Sequence, residues 1–238
     1  MYSGNSYKKF PELYDLLYQR YLNSIPDFVA LVEKNTPKGG LILDLAAGTG
    51  EVTIPLLKSG FEVISLDKNK GMLKELKSKA KKQGVKNLHI IISDMKKASY
   101  RKKFDSVCIR QAINYFIGVE ALEEGLQKIF ASLKNGGKFI FNAPNYHGEK
   151  KYPVVSNYYE NERQRAFVLE TNKLSDKVLR HKQYSIIWAD GKEPSFATDE
   201  NLFYMFTKKE FEGALKKSGF SKIEFSGSAK TLYCAATK

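Results

Sequence analysis

Short apolar runs alternate with amphipathic stretches along the first 143 residues of the chain. The runs are too short for helices and are typical of strands that are buried on both faces. They cover residues 41–45, 61–66, 88–92, 104–109 and 138–142. Between them, apolar residues recur at helical spacing over about 70–83 and 122–133. This regular repeat of strand and helix predicts an α/β fold with a doubly wound, mainly parallel sheet.

The pattern changes after residue 143. Residues 144–162 are rich in Tyr and are predicted to be loop-like. Alternating runs that are typical of antiparallel strands follow. They cover residues 163–171, 177–188 and 201–206. We therefore predict an antiparallel strand insertion on the parallel core.

The last part of the chain returns to the first pattern. Thr207 and Glu210 form a capping box that begins a helix, and Gly219 ends that helix. Two closing strands follow over residues 223–225 and 231–236. With the five earlier strands they give a seven-stranded sheet, in which the insertion precedes the last helix.

The first strand ends in a glycine-bearing turn that can approach a ligand. Asp44 lies near the end of the strand, and Gly48 and Gly50 let the backbone turn tightly without Cβ atoms in the way. A helix starts directly afterwards, so its free N–H groups point at the turn. The dinucleotide fingerprint needs a third glycine where this chain has Thr53, so that fingerprint does not match.

The spacing of an acid, a small residue and two glycines resembles motif I of the class I, Rossmann-like S-adenosylmethionine (SAM)-dependent methyltransferases. Asp44, Ala46, Gly48 and Gly50 carry the resemblance. It implies that the chain binds SAM and releases S-adenosylhomocysteine. It also implies that the two closing strands pair antiparallel at the sheet edge. Asp67 ends the second strand, where an acid can accept hydrogen bonds from both ribose hydroxyls.

The resemblance implies further contacts to SAM. Tyr14, in the segment YDLLY, matches a tyrosine that closes over the donor, and Met72 matches a methionine that packs on the adenine. Asp94 matches an acid that contacts the adenine amino group, and Met95 would add a backbone or packing contact. Independently of the resemblance, Arg110 and Gln111 follow the fourth strand, at whose carboxyl end ligands of open α/β sheets bind, and they are predicted donor contacts together with Lys68. Structural roles stay open for several of these residues, namely helix packing for Tyr14, core packing for Met72 and a helix cap for Asp94.

The acceptor side is predicted from aromatic residues after the fourth strand and in the insertion. Aromatic walls suit both sugars and cationic amines. The candidates are Tyr115, Tyr146, Tyr158, Trp188 and Tyr204. A hydroxyl acceptor would profit from a general base, for which His147 is the candidate, although an exposed loop histidine is the alternative. Nucleic-acid amino-methylases of the broad family carry an Asn/Asp-Pro-Pro-aromatic motif where this chain has RQAINYF, which argues against a nucleobase amino group as the acceptor.

These assignments divide one predicted domain, residues 1–238, into four parts. They are an N-terminal helical lid (1–37), a donor-binding core (38–143), an acceptor-side antiparallel insertion (144–206) and the closing helix and strands (207–238). The layout resembles small-molecule methyltransferases, such as those that N-methylate amino sugars. We therefore expect methyl transfer by in-line displacement to a nitrogen or oxygen atom of a small molecule.

Composition adds limits to this prediction. The chain has 238 residues, of which 42% are hydrophobic and 27% are charged, as is ordinary for a globular protein. We find no membrane span and no signal-peptide core, so we expect a cytoplasmic protein without a membrane partner. Cys108 and Cys234 lie in apolar runs and are predicted to be buried thiols, with no disulfide and no metal site.

The net charge of +13 leaves two alternatives open. A basic surface is typical of nucleic-acid binding, so an RNA methyltransferase stays possible. Much of the charge lies over residues 68–103, where nearly all basic residues are Lys, and we favour a solvated helix face. A SAM-binding module without transfer activity is the second alternative. The chain is expected to be a monomer or a homodimer, since an exposed edge in the insertion can pair two chains.

Overall fold

A computed structural model describes residues 11, 14–17, 24–97, 103–147, 154–162, 164–191 and 193–238. The strands are β1 (Leu41–Leu45), β2 (Glu62–Asp67), β3 (His89–Ile92), β4 (Phe104–Ile109), β5 (Leu133–Pro144), β6 (Val155–Glu160), β7 (Gln164–Ser175), β8 (Val178–Ala189), β9 (Ser195–Tyr204), β10 (Ser221–Gly227) and β11 (Thr231–Thr237). The helices are α1 (Tyr14–Leu17), α2 (Ile25–Lys34), α3 (Thr53–Lys58), α4 (Lys70–Lys82), α5 (Val119–Ser132) and α6 (Lys208–Lys217), with a 3₁₀ turn at Ile113–Tyr115.

The main sheet has seven strands in the order β10-β11-β5-β4-β1-β2-β3. Strands β1 to β5 run parallel to one another, while β11 runs antiparallel to both β5 and β10. The predicted fold class and the predicted antiparallel pair at the edge are confirmed. The strand order reverses between β1 and β4, and ligands of open α/β sheets bind at such a point.

The helices bury one apolar face against this sheet and turn their lysines to solvent. In α4, Met72, Leu73, Leu76 and Ala80 are buried. The predicted capping box of α6 is present, because the Thr207 hydroxyl accepts from the Glu210 amide and the Glu210 carboxylate accepts from the Thr207 amide at 2.8 Å. Cys108 in β4 and Cys234 in β11 are buried free cysteines, as predicted.

The insertion forms a second sheet, in the order β6-β7-β8-β9, with every pair antiparallel. A two-residue turn joins β7 to β8, and Asp176 and Lys177 both take the positive φ that such tight hairpins require. The prediction of a loop over residues 144–162 is wrong for β6, and β9 begins six residues earlier than predicted. Both strands are edges of the second sheet whose sequences mix polar and aromatic residues, so pairing with the adjacent strand, rather than their own residue pattern, decides their conformation.

The segment before β1 contributes α1 and α2. Phe28, Val29 and Val32 of α2 are buried against the main sheet. Four apolar or aromatic positions of the predicted first helix, Phe10, Leu13, Tyr18 and Tyr21, lie outside the described residues. The helices that the structure does describe are all too short or too polar to cross a membrane.

Candidate functional site

The carboxyl ends of β1 to β4 meet at one edge of the main sheet, because these strands are parallel and adjacent. The glycine turn after β1, Asp67 at the end of β2, Asp94 after β3 and Arg110 after β4 therefore lie along this edge. We call it the donor edge. It brings together the predicted donor residues, which are up to 97 positions apart in the chain, from Tyr14 to Gln111.

The turn itself combines tight packing with an open side. Ala46, Gly48 and Gly50 all have positive φ. A Cβ on Gly50 would lie 2.1 Å from Cδ1 of Leu76 in α4, so this residue packs the turn against the helix. A Cβ on Gly48 would meet no atom within 4 Å. The turn thus presents open backbone at Gly48, where a ligand can approach closely.

Asp67, at the end of the neighbouring strand β2, stabilises this turn by hydrogen bonds. Its Oδ2 accepts from the Gly48 amide at 2.9 Å and its Oδ1 accepts from the Asn69 amide at 2.8 Å. Burial raises the pKa of Asp67, and the two amide donors oppose that shift. Each carboxylate oxygen has a second lone pair, so Asp67 can hold the turn and still accept hydrogen bonds from a ligand.

Asp44 lies beneath the turn, where its carboxyl group faces the interior. Its Oδ2 accepts from the Thr53 hydroxyl at 2.7 Å, and the Cys108 thiol lies 3.7 Å from its Oδ1. Burial raises the pKa of Asp44 to about 7. The first acid of the motif therefore ties β1 to α3 and β4, rather than presenting its carboxylate at the surface of the donor edge.

Arg110 and Glu51 form an ion pair beside the turn. Arg110 Nη1 donates to Glu51 Oε2 at 2.8 Å, and its Nη2 donates to the Ser24 hydroxyl at 3.2 Å. The other oxygen, Glu51 Oε1, is buried and has no partner among the residues that the structure describes. Burial raises the pKa of Glu51 and Arg110 opposes the shift. Sequence reasoning missed Glu51, although an acid directly after Gly50 was a visible signal.

Helix α1 is docked onto the donor edge by Asp15. Its two carboxylate oxygens accept from the Thr49 hydroxyl at 2.7 Å and from Lys79 Nζ of α4 at 2.5 Å. Tyr14, the predicted lid residue, is half-buried next to them. The pKa of its hydroxyl is raised by burial and by the charge of Glu51. The helix therefore covers the donor edge.

The stretch after β4 contains a strained residue. Gln111, a predicted donor contact, has a φ of 53°, and its amide donates to Asn142 Oδ1 at 2.7 Å. Positive φ in a residue other than glycine costs free energy and is frequent at binding sites. Asn142 is fully buried at the end of β5, and its Nδ2 has no partner within the described part of the chain. The sequence offered no signal for Asn142.

The remaining predicted donor residues differ in their exposure. Met72 is buried, Asp94 and Met95 are half-buried, and Lys68 is exposed. Asp94 Oδ1 accepts from the Lys96 amide at 3.0 Å, while Met95 packs against the main core. The Lys68 ammonium lies 6.0 Å from the ring centre of Tyr115.

Tyr115 connects the donor edge with the second sheet. Burial and the charges of Asp67 and Asp199 raise its pKa to about 12, so the hydroxyl keeps its proton. Its ring packs on Phe203 of β9 at 4.9 Å. Asn114 adds a second link, because its Nδ2 donates to the Tyr204 carbonyl at 2.6 Å. The two sheets thus meet around the 3₁₀ turn.

The second sheet turns a buried polar row toward this junction. Glu170, Gln183 and Asp199 are direct cross-strand neighbours on β7, β8 and β9, and all three are buried. On the same face, an apolar cluster of Tyr159, Ala166, Val168 and Ile187 packs against Tyr14 and Leu17 of α1. We call this face the inner face. Sequence reasoning missed its polar row, because the three residues come together only through the hairpin register.

The predicted acceptor residues divide between several places. Tyr115 and Tyr204 lie at the junction, and Tyr146 is buried just after β5, whereas His147 is exposed. Tyr158 pairs with Phe167, and Trp188 pairs with Arg165, on the face opposite the polar row. Side chains alternate along a strand, so Tyr158 and Trp188 point away from the inner face.

Comparison with known proteins gives a family match. Residues 37–210 match the sequence model of a family described as methyltransferase domain. YqeM, a putative methyltransferase of Bacillus subtilis (strain 168), is 26% identical to the chain over 222 residues, which make up 90% of this chain and 86% of YqeM.

A second relative and a crystal structure extend over nearly the whole chain. The dTDP-3-amino-3,6-dideoxy-alpha-D-glucopyranose N,N-dimethyltransferase of Streptomyces fradiae is 25% identical over 231 residues, 94% of this chain and 86% of that one. The crystal structure of an S-adenosylmethionine-dependent methyltransferase from Clostridium acetobutylicum ATCC 824 is similar with a TM-score of 0.79 and 23% identity, over 98% of this chain and 99% of that one. At this identity the structural likeness shows the fold.

Proposed function

Because the chain belongs to the methyltransferase domain family and is a SAM-dependent methyltransferase, we propose that it methylates a nitrogen or oxygen atom of a small molecule. In this proposal the methyl donor binds along the donor edge and the acceptor binds between Tyr115 and the inner face of the second sheet. The observation that carries it is the buried row of Glu170, Gln183 and Asp199 facing the same junction as the glycine turn.

The residues of the donor edge fit SAM chemically. Gly48 leaves open space for close approach, and Asp67 keeps lone pairs for ribose hydroxyls. Glu51 Oε1 is a buried acceptor that has no partner in the described ranges, which suits an α-ammonium group. Arg110, held by Glu51 and Ser24, carries a cation beside it for the α-carboxylate.

Bound SAM supplies an electrophilic methyl group on a sulfonium, and transfer leaves S-adenosylhomocysteine. The chain has to orient the acceptor lone pair in line with that methyl group and to exclude water. Tyr14 and α1 would close the donor edge, while Tyr115 would separate the donor from the acceptor face. The Tyr115 hydroxyl keeps its proton, since its pKa is raised to about 12, and can therefore donate a hydrogen bond.

The polar row suits a small polar acceptor that carries amine or hydroxyl groups. Glu170 and Asp199 offer carboxylate acceptors, and the Gln183 side chain donates to Ser185 at 3.1 Å while its oxygen can accept. A neutral amine attacks without a strong base, and its proton leaves after the new bond has formed. For a hydroxyl acceptor His147 stays our candidate base.

RNA is the second candidate acceptor, and the net charge of +13 favours it. The exposed lysines of α4 supply part of that charge. The buried acceptor row counts against RNA, because it offers carboxylates rather than cations to an approaching backbone.

The test is transfer of labelled methyl from SAM, with small-metabolite and RNA fractions offered separately. We expect label in the small-metabolite fraction and its loss in Asp67→Ala. Asp105→Asn is the matched control, because Asp105 is the second residue of β4, at the opposite edge of the sheet, and accepts from Lys134 and the Leu41 amide. Label in RNA alone would refute the proposed acceptor class. Binding of SAM without label in either fraction would refute the proposed transfer to a small molecule.

A further inference from the structure

The chain turns out of the main sheet directly after β4. Strand β4 ends at Ile109, which pairs with Phe141 of β5, whereas β5 continues to Pro144 and stays paired with β11 over that length. Gln111, the second residue beyond β4, has a φ of 53°. This left-handed conformation is disfavoured roughly 10-fold in population for a residue that has a Cβ atom. A neighbouring group therefore has to hold Gln111 in place.

The side chain of Asn142 supplies that group. Its Oδ1 accepts from the Gln111 amide at 2.7 Å, and the side chain is fully buried. The backbone of Asn142 is itself fixed in the sheet, because it pairs with Tyr233 of β11. A side-chain oxygen, rather than a carbonyl of the strand, thus accepts from this amide, and the chain can leave the sheet at Gln111.

The same arrangement leaves the other polar atom of Asn142 unsatisfied. Because Oδ1 faces the Gln111 amide, Nδ2 points away from that amide. Nδ2 is buried and makes no hydrogen bond to any residue that the structure describes. A buried donor without a partner lowers stability, as does the positive φ of Gln111. Two unfavourable features at one contact are typical of a site that is kept for function rather than for stability.

The residues on either side of Gln111 show what this contact positions. Arg110, directly before it, is held on the donor edge by Glu51. After it, the 3₁₀ turn leads to Tyr115, whose ring packs on Phe203 of the second sheet. If Gln111 took an ordinary negative φ, the path of the chain between these two anchors would change. Tyr115 would then shift at the junction, while Arg110 would keep its own partners.

We propose that Asn142 is a positioning residue for methyl transfer, which acts by holding Gln111 in its left-handed conformation. It acts through Gln111, and so sets the path of the chain from the donor edge to Tyr115. The inference rests on the proposed function in one respect, since it takes the acceptor to bind beyond Tyr115. Loss of the Asn142 side chain should reduce the fraction of molecules that are competent for transfer, and it should affect SAM binding much less.

The test compares SAM binding with the transfer of labelled methyl in Asn142→Ala. The rate is measured at saturating SAM with whichever fraction, small-metabolite or RNA, the wild-type chain labels. The rate should fall about 10-fold, whereas the Kd for SAM should rise less than about threefold, because the glycine turn and Asp67 lie outside this stretch. Asn145→Ala is the matched control and should keep the wild-type rate. Asn145 directly follows β5, and its Nδ2 donates to the Ser228 carbonyl at 2.8 Å.

The substitution Gln111→Gly separates positioning from a merely structural role. Glycine adopts positive φ about as readily as negative φ, so it does not need to be held. In the Gln111→Gly background, Asn142→Ala should therefore lower the rate less than about threefold. Equal losses in the two backgrounds would overturn the proposal. A wild-type rate in a folded Asn142→Ala protein, or an equal loss in Asn145→Ala, would overturn it as well.

Hydrogen exchange keeps the proposal testable if Asn142→Ala fails to fold. In the wild-type chain the Gln111 amide should exchange at least about 100-fold more slowly than an unprotected amide, because its acceptor is buried. Exchange at the unprotected rate would overturn the role of Asn142. Bound SAM without label in either fraction would refute the proposed function, whereas slow exchange of the Gln111 amide would still support the hold of Asn142 on Gln111.

Discussion

Two acids at the ends of neighbouring strands have different environments. Asp44 is enclosed by Thr53, Ser65 and Cys108, and its pKa is raised to about 7, whereas Asp67 lies at the donor edge and binds the Gly48 amide. The first is tied into the core, and the second is available to a ligand. Substitutions at the two positions should therefore affect different properties.

Asp44 should make the protein less stable as the pH rises. Its pKa is 3.8 when unfolded and about 7 when folded, so between these values the folded chain holds a proton that the unfolded chain has released. Stability then falls as the pH increases from about 4 to 7, by on the order of a few kcal/mol. The free energy of unfolding, measured in urea, should therefore be higher at pH 5.5 than at pH 8. Asp44→Asn should reduce this difference.

Asp105→Asn is the control for that experiment. The pKa of Asp105 is lowered, since its hydrogen bonds to Lys134 and the Leu41 amide outweigh the effect of burial. Its contribution to stability is lost only as the pH falls through that lowered pKa, below the pH range of the experiment. The variant should lower stability equally at both pH values. If Asp44→Asn left the pH dependence of stability unchanged, that result would contradict its assignment to Asp44.

Glu51→Gln should weaken SAM binding. The substitution removes the carboxylate that we propose for the α-ammonium and weakens the hold on Arg110. Hydrogen bonds to charged groups contribute about 1.5–3 kcal/mol, so the Kd for SAM should rise roughly 10- to 100-fold. Calorimetric titration measures this, with the melting temperature followed to detect unfolding. An unchanged Kd in a folded variant would refute the role of Glu51.

At the scale of elements, the glycine turn and α4 act together. Gly50 is packed against Leu76, while Gly48 faces open space, and both have positive φ. The same substitution at the two positions should therefore have opposite consequences for folding and for binding.

Gly50→Ala should mainly lower stability, by on the order of 2–4 kcal/mol, because its Cβ would overlap Leu76 in a packed core. Gly48→Ala should cost only about 1 kcal/mol for its backbone conformation, yet reduce SAM affinity because the methyl group enters the donor space. Urea unfolding and SAM titration of both variants measure the two effects. Equal losses of stability in the two variants would contradict the packing of Gly50 against Leu76.

Most elements were predictable where burial follows a simple period. Strands β1, β2 and β4 are short runs of mostly buried residues. Helix α6 carries a capping box, whose hydrogen bonds join residues only three positions apart. Strand β6 was missed because Tyr159 is its one buried residue, and the half-buried Asn157 on the same face is polar, so the sequence gives no apolar alternation. Its conformation depends on pairing with β7, and such pairing is not encoded locally.

At the scale of the whole molecule, the donor edge and the inner face meet at one junction. The motif residues of the donor edge were predictable, because each follows a recognisable strand. The row of Glu170, Gln183 and Asp199 was not, since only the hairpin register brings these residues side by side. For the same reason Tyr158 and Trp188 were expected at the acceptor site, although they point away from the inner face.

One measurement tests most directly whether the donor edge and the inner face form a single site. SAM binding and methyl transfer are measured in parallel for Asp67→Ala, Asp199→Asn and Glu200→Gln. Asp199 and Glu200 are adjacent acids on opposite faces of β9, one buried and one exposed, so they form a matched pair. We predict that Asp67→Ala loses both binding and transfer. Asp199→Asn should keep the wild-type Kd for SAM but lose transfer about 10-fold or more, while Glu200→Gln keeps both. Transfer at the wild-type rate in Asp199→Asn, or an equal loss in Glu200→Gln, would contradict the account.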